Sequence, residues 1–251
     1  MTRAAAQAPQ FVTLLQAAGA SVVEAPTIAI VPPTSWAPLD AAVDALEGFR
    51  WVIFTSVNGV AMMDRRLSER GLSWSGVAAK RVAAIGPATA DALAAHGVRT
   101  ELVPGEYRAE ALIERLRPEI RPGDGVLLPR AAKTRDLLVR ELADAGARVV
   151  EVPAYETHPV TETASRLREA LTGGTIDVVT FTSSSTVRHF AELFSDAERR
   201  RWFPALTVAS IGPITAGTAR EYGLATAIMP AEYTIPALAR AIEDHFAGRS
   251  R

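Results

Sequence analysis

The chain has 251 residues, 48% hydrophobic and 22% charged, with 27 basic against 28 acidic side chains for a net charge of −1. That is the composition of a globular protein with a sizeable core, and charges so balanced and interspersed argue against a nucleic-acid binder. The absence of cysteine excludes disulfides, thiolate nucleophiles, iron–sulfur clusters and cysteine-held zinc, and His96, His158, His189 and His245 lack the short spacings of a metal site.

From the N-terminus, Arg3 opens an alanine-rich run that faintly resembles a secretory signal, but Gln7, Gln10 and Gln16 interrupt it and a copy of it lies inside the chain. No apolar stretch approaches the ~20 residues of a membrane span, so a soluble, cytoplasmic protein is expected. Ile28 to Pro38 is proline-bearing and reads as an extended linker. Trp51 to Phe54 is a short apolar run of the length of a buried strand, stopping at Thr55-Ser56 before a helical stretch, Asn58 to Glu69. Arg81 to Ile85 is a strand ending at Gly86-Pro87. The glycine is expected to permit an unusual turn, and the proline suits the first helical position. The helix that follows ends near His96-Gly97, with a short strand from Thr100 to Val103.

Gly125 to Leu128 is a strand, Lys133 to Asp144 a helix, and Arg148 to Val152 a strand, after which Tyr155 to Thr161 forms a second extended linker. Asp177 to Phe181 then repeats the strand that stops at Thr-Ser, with a helix from Ser185 to Phe194. Thr207 to Ile211 repeats the strand that stops at Gly-Pro, with a helix to Tyr222-Gly223 and a strand from Thr226 to Met229. Strands alternating with helices imply parallel sheets flanked by helices, an α/β fold.

The chain is thus written twice. Arg3 to Pro26 aligns on Arg130 to Pro153 with 12 of 24 residues identical, at an offset of 127. FTSVNGV at Phe54 returns at the same offset as FTSSSTV at Phe181, and AAIGPATADALAAHGV at Ala83 returns at an offset of 126 as ASIGPITAGTAREYGL. So long a period denotes two similar lobes rather than a solenoid, with ligand expected in the cleft between them. The two linkers fall at equivalent positions and are expected to run side by side. The second copy begins with a full strand, VLLPR, whereas only Met1-Thr2 precedes Arg3, so either the chain starts upstream of Met1 or the first lobe lacks most of one strand.

No Walker loop, GxGxxG, GxSxG or HExxH occurs. What remains is four strand-to-helix turns with small polar residues: Thr55-Ser56, Gly86 to Thr89, Thr182 to Ser185 and Gly212 to Thr215. Each either caps its helix or, at the carboxyl ends of parallel strands, supplies hydroxyls and free N–H groups to an anion. Arg3 and Arg130, equivalent in the repeat, are either carboxylate clamps or surface charges. Tyr155 is either a packed aromatic or a proton donor, and Tyr107 and Tyr233 share a structural role in repeated Pro-x-Glu-Tyr segments.

Taken in order, LLPRAAKTRDLLVRELADAGARVVEVPAYET, DVVTFTSSSTVRHF and ASIGPITAGTAREYGL, with FTSVNGV and AAIGPATADAL from the first half, resemble the uroporphyrinogen-III synthase family over nearly the whole chain. The resemblance implies two flavodoxin-like lobes, residues 1–31 with 159–251 and residues 34–155, around a cleft. It implies a cofactor-independent lyase that cyclises linear hydroxymethylbilane, a tetrapyrrole with eight carboxylates, with loss of water and inversion of the last ring. Tyr155 matches the tyrosine favoured as proton donor to the leaving hydroxyl. Ser56, Asn58, Gly86, Thr89, Ser183, Ser184, Gly212 and Thr215, with Arg3 and Arg130, are the substrate-binding candidates. Ser184 and Ile214 depart from the family's turn pattern. No metal, nucleic acid or membrane is expected, and the protein is expected to be a monomer that receives substrate from hydroxymethylbilane synthase. The alternatives are a non-catalytic tetrapyrrole-binding or sensing module of the same fold and a flavodoxin-like nucleotide binder, for which no phosphate loop is present.

Overall fold

A computed structural model describes residues 1–132 and 136–248. In chain order, α1 (Pro9–Ala17), β1 (Ile28–Val31), α2 (Ala37–Asp44), β2 (Trp51–Phe54), α3 (Val57–Glu69), α4 (Ser75–Ala78), β3 (Arg81–Ala84), α5 (Pro87–Ala94) and α6 (Ala109–Leu116) lead to β4 (Gly125–Ala131). There follow α7 (Leu137–Asp144), β5 (Arg148–Pro159), α8 (Ala164–Thr172), β6 (Val178–Phe181), α9 (Ser184–Glu192), α10 (Asp196–Trp202), β7 (Thr207–Ser210), α11 (Pro213–Glu221), β8 (Thr226–Ile228) and α12 (Ile235–Ala247). The chain divides into two compact units, Met1–Ala29 with His158–Arg251 (unit 1) and Ile30–Thr157 (unit 2).

In unit 2, β5, β4, β2 and β3 are neighbours in that order and pair in parallel. Alternation along β2 sends its side chains into two cores. Val52 and Phe54 meet Leu39, Val60, Met63 and Leu93 on one face, and Trp51 and Ile53 meet Leu112, Leu116, Leu138 and Leu142 on the other. A strand covered on both faces needs no polar side, which is why WVIF is a continuous apolar run. Unit 1 has the parallel order β6-β7-β8. Val179 and Phe181 pack with Phe190, Phe194 and Phe203 on one side of it, and Ala209 and Ile228 with Phe11, Leu15, Leu238 and Ile242 on the other.

The repeat extends to strand register. Trp51 pairs with Arg81 and Val178 with Thr207, the same partners once the two offsets are applied. The N-terminal residues follow suit: the Met1 nitrogen donates to Val23 O at 2.8 Å, Ala25 N to Met1 O at 2.9 Å and Thr27 N to Thr2 O at 3.1 Å. The Thr2 hydroxyl donates to Thr180 O at 2.7 Å, tying this short segment to β6. Met1 to Arg3 thus stands where Leu128 to Arg130 of β4 stands in unit 2.

Two expectations are corrected. The strand at Thr100 to Val103 is only a single bridge, Ala83 to Leu102. In the proline-bearing stretches, residues 28–31 form β1 and α2 begins at Ala37, while β5 runs on through Tyr155 to Pro159, with β1 beside β5 in one sheet. The glycines of the Gly-Pro turns serve no unusual backbone angle, since φ is −167° at Gly86 and −172° at Gly212, both extended. They are needed for space. A Cβ on Gly86 would stand 3.2 Å from Tyr107 Cγ and one on Gly212 would stand 3.1 Å from Tyr233 Cγ, so each repeated tyrosine lies against its glycine. Of the helix expected from Lys133, residues 133–135 lie outside the described residues, and α7 starts at Leu137.

Two other glycines carry opposite predictions. A Cβ on Gly125 would fall 2.1 Å from the Gly48 carbonyl oxygen, a backbone atom that cannot swing away, whereas one on Gly217, inside α11, meets nothing within 4 Å. Gly125→Ala should therefore cost about 3 kcal/mol in chemical denaturation, and Gly217→Ala should gain about 1 kcal/mol. A pH dependence follows from α10. Glu198 accepts from Arg168 Nε at 2.8 Å and from Ser195 N at 2.7 Å, and these bonds, Arg168 first, lower its carboxyl to about 2. A carboxyl depressed on folding stabilises fully above its unfolded range and ceases to do so as the pH falls through the folded value. Acid titration of unfolding should show this loss approaching pH 2, and Glu198→Gln should remove that component.

Candidate functional site

In unit 2, β2 ends at Thr55 and Ser56 caps α3 with an extended backbone, its Oγ accepting from Gly59 N at 3.1 Å. The same Oγ lies 3.0 Å from Tyr155 Oη. Tyr155 is 8% exposed and sits where the β4–β5 register slips: Arg130 pairs with Pro153 but Ala131 with Tyr155. The extra residue breaks the in–out alternation, so Ala154 and Tyr155 are both buried, and a bulge of this kind re-aims a side chain. Asn58 is half-buried in the first turn of α3. At β3, Gly86 caps α5 without a side chain, leaving the first turn's N–H groups to other acceptors. Thr89, in that turn, is 4% exposed and its hydroxyl has no hydrogen-bond partner among the described residues.

Unit 1 repeats this arrangement with different side chains. Ser183 caps α9 in a reciprocal box with Thr186: Ser183 Oγ accepts from Thr186 N at 3.3 Å, and Ser183 N donates to Thr186 Oγ1 at 3.3 Å. Ser184 Oγ accepts from Thr218 Oγ1 at 2.8 Å, a partner that sequence reasoning missed because its counterpart in the first copy is Ala92. Gly212 caps α11 as Gly86 caps α5, and Thr215 matches Thr89 at 5% exposure, also without a hydroxyl partner among the described residues. Tyr155 has no aromatic counterpart, since the offset of 127 lands on Ile28.

The two arginines part company. Arg130 is 5% exposed and donates from Nε to Glu151 Oε1 at 2.7 Å. Arg3 is half-buried, donates from Nε to Gln7 O at 2.8 Å and has no ion pair among the described residues. Burial pushes its guanidinium below the ordinary arginine range, the mark of a cation short of counter-charge. Glu24, the repeat partner of Glu151, is exposed. Among the described residues no cluster of three acidic or histidine side chains is arranged for a metal, and no helix is long and apolar enough to cross a membrane.

Comparison with known proteins adds the decisive observation: residues 9–240 match the family described as Uroporphyrinogen-III synthase HemD. The chain belongs to the uroporphyrinogen-III synthase family. It is 39% identical to the uroporphyrinogen-III synthase of Synechococcus elongatus over 96% of this chain and 92% of that one. A putative uroporphyrinogen-III synthase of Methanothermobacter thermautotrophicus is 34% identical over 94% of this chain and 93% of its own. Among solved structures, a mutant uroporphyrinogen III synthase from Thermus thermophilus superposes with a TM-score of 0.68 at 23% identity, covering 97% of this chain and 96% of that chain, a likeness of fold. The uroporphyrinogen-III synthase fold thus accounts for the paired α/β units, and the turns at the carboxyl ends of their parallel strands hold most of the polar candidates.

The contrast between the arginines can be measured. Glu151→Ala removes a carboxylate from a guanidinium that stays buried and, discounted for the third of Glu151 that is exposed, should cost about 2 kcal/mol. Glu24→Ala on the equivalent exposed carboxylate should stay within about 0.5 kcal/mol of wild type in chemical denaturation.

Proposed function

We propose that this protein catalyses the uroporphyrinogen-III synthase reaction without a cofactor, as a hydro-lyase that closes linear hydroxymethylbilane into uroporphyrinogen III. The reading is carried by 39% identity to a named synthase over 96% of the chain. The geometry is of the kind the reaction needs. A phenol at Tyr155 supplies the proton that leaves with the substrate's terminal hydroxyl as water, while a pyrrole nitrogen pushes electrons into the breaking C–O bond. The resulting azafulvenium cation is attacked by the substituted carbon of the last ring. The spiro intermediate then fragments and recloses with that ring inverted, and the proton released on rearomatisation restores the phenol.

Eight substrate carboxylates require donors rather than bulk positive charge, in keeping with a net charge of −1. Arg3, Thr89 and Thr215 are the principal carboxylate ligands in this reading, because each keeps donor capacity unspent among the described residues. Main-chain N–H groups of the turns at Gly86, Ser183, Ser184 and Gly212, and the amide of Asn58, complete the set. Arg130 contributes by holding the β4–β5 end through Glu151. Catalysis is then mainly positioning and control of the closure. The protein acts as a cytoplasmic monomer, taking its unstable substrate from hydroxymethylbilane synthase.

A coupled assay tests the reading: porphobilinogen deaminase supplies fresh substrate, and the oxidised products are separated into isomers I and III. Isomer I forms without an enzyme, so predominance of isomer III supports the proposal. Isomer I alone, from folded protein, refutes it and leaves a binding or sensing module. A hydrogen bond to a charged group contributes about 1.5–3 kcal/mol, so Arg3→Ala should raise KM about tenfold or more, and Thr89→Val or Thr215→Val about tenfold. In each case kcat should fall less than KM rises.

A further inference from the structure

We propose that Ser56 is a positioning residue for the phenol of Tyr155: it orients the phenolic proton outward and stabilises the phenolate left after proton transfer. The inference rests on Tyr155 being the proton donor and explains how the protein equips that residue for the task.

Ser56 Oγ has one proton and two lone pairs. One lone pair is taken by Gly59 N at 3.1 Å, and Tyr155 Oη lies 3.0 Å away. With the Ser56 proton directed at Tyr155 Oη, the phenol accepts from the serine and its own O–H is released to a substrate oxygen. On transfer, the Tyr155 O–H bond breaks and the proton joins the leaving hydroxyl. The negative charge on Oη then faces a hydroxyl already polarised by the Gly59 N–H and by the N-terminal end of α3, where the helix dipole favours negative charge. The proton released at rearomatisation returns to Oη, and Ser56 is unchanged throughout.

The repeat supplies an internal comparison. At the offset of 127, Ser56 becomes Ser183, Gly59 becomes Thr186 and Tyr155 becomes Ile28. In unit 1 the serine is fastened by the threonine in a closed capping box. In unit 2 the box partner has no side chain, and the serine turns to the phenol instead. Gly59 has a second effect. A Cβ there would stand 3.1 Å from Pro129 O, so its absence lets the start of α3 settle against β4, next to the strand that carries Tyr155. Two differences between the copies, Gly59 where unit 1 has Thr186 and Tyr155 where it has Ile28, therefore converge on a single hydrogen bond.

The test is a double-mutant cycle in the coupled assay. Ser56→Ala should lower kcat about tenfold, as loss of a hydrogen bond to a developing charge does, with KM within about twofold of wild type. In a Tyr155→Phe background the same substitution should cause no further loss beyond about twofold. Because alanine also removes the helix cap, Ser56→Asp serves as a second variant: it keeps an acceptor for Gly59 N but offers no proton to Oη, and should lose kcat as alanine does. Ser56→Thr, which keeps both functions, should recover most of the rate. Equal loss in both Tyr155 backgrounds, or a rise in KM with kcat intact, would overturn the proposal and make Ser56 a substrate ligand or a cap alone. If Tyr155→Phe itself leaves kcat unchanged, the donor reading fails first and this inference falls with it.

Discussion

A parallel strand can rejoin its sheet only after the chain has travelled back along it, and here most of the return is helical, so strand carboxyl ends pass into helix N-termini. In unit 2 this places the starts of α3 and α5 after β2 and β3. In unit 1 it places the starts of α9 and α11 after β6 and β7. Along each sheet edge, backbone N–H groups without intrahelical partners are brought together before any side chain is chosen. The chemistry of the protein is an elaboration of that constraint. Glycine caps leave donors unspent, serine caps add hydroxyls, and the shared strand register keeps the turns of one copy in the places occupied by those of the other.

Where the two copies diverge, the divergence has chemical content. A buried arginine is neutralised by Glu151 in unit 2, while Arg3 at the equivalent position of unit 1 keeps most of its donors. A phenol occupies the bulged position of β5, where unit 1 has Ile28. In the proposed reading, one scaffold used twice supplies different groups: carboxylate ligands from a largely common design, and an acid from one copy. A substrate with many carboxylates and one leaving hydroxyl calls for that combination.

Much of this was legible in the chain itself. The strands at Trp51, Arg81, Asp177 and Thr207 announce themselves as short apolar runs halted by Thr-Ser or Gly-Pro, because burial on both faces dictates their composition and a helix must follow. The turns could be singled out on the same grounds, whereas Tyr155 stood open between a packed aromatic and a proton donor, and only the family resemblance pointed to the donor. What was not legible depends on packing across distance. Nothing local says that Gly86 and Gly212 exist to admit Tyr107 and Tyr233 rather than to free a backbone angle. Proline-bearing stretches read as extended, but that one of them continues β5 through Tyr155 to Pro159 depends on ladder partners that composition does not show. Thr100 to Val103 has strand composition but forms only one bridge. The pairing of Arg130 with Glu151 and of Ser56 with Tyr155 depends on register and on a one-residue slip, which no composition encodes.

The central claim is that substrate is handled by the turns at the carboxyl ends of the parallel strands, and amide hydrogen exchange addresses it most directly. Exchange would be compared with and without uroporphyrinogen III under anaerobic conditions. The account predicts slowed exchange in residues 55–60, 86–92, 182–187 and 212–218, where Ser56, Gly86, Ser183 and Gly212 cap their helices, with any further protection near Arg3 and Tyr155. Unchanged exchange in those segments, with protection elsewhere, such as around the cleft lined by Arg81, Glu101 and Glu119, would contradict it.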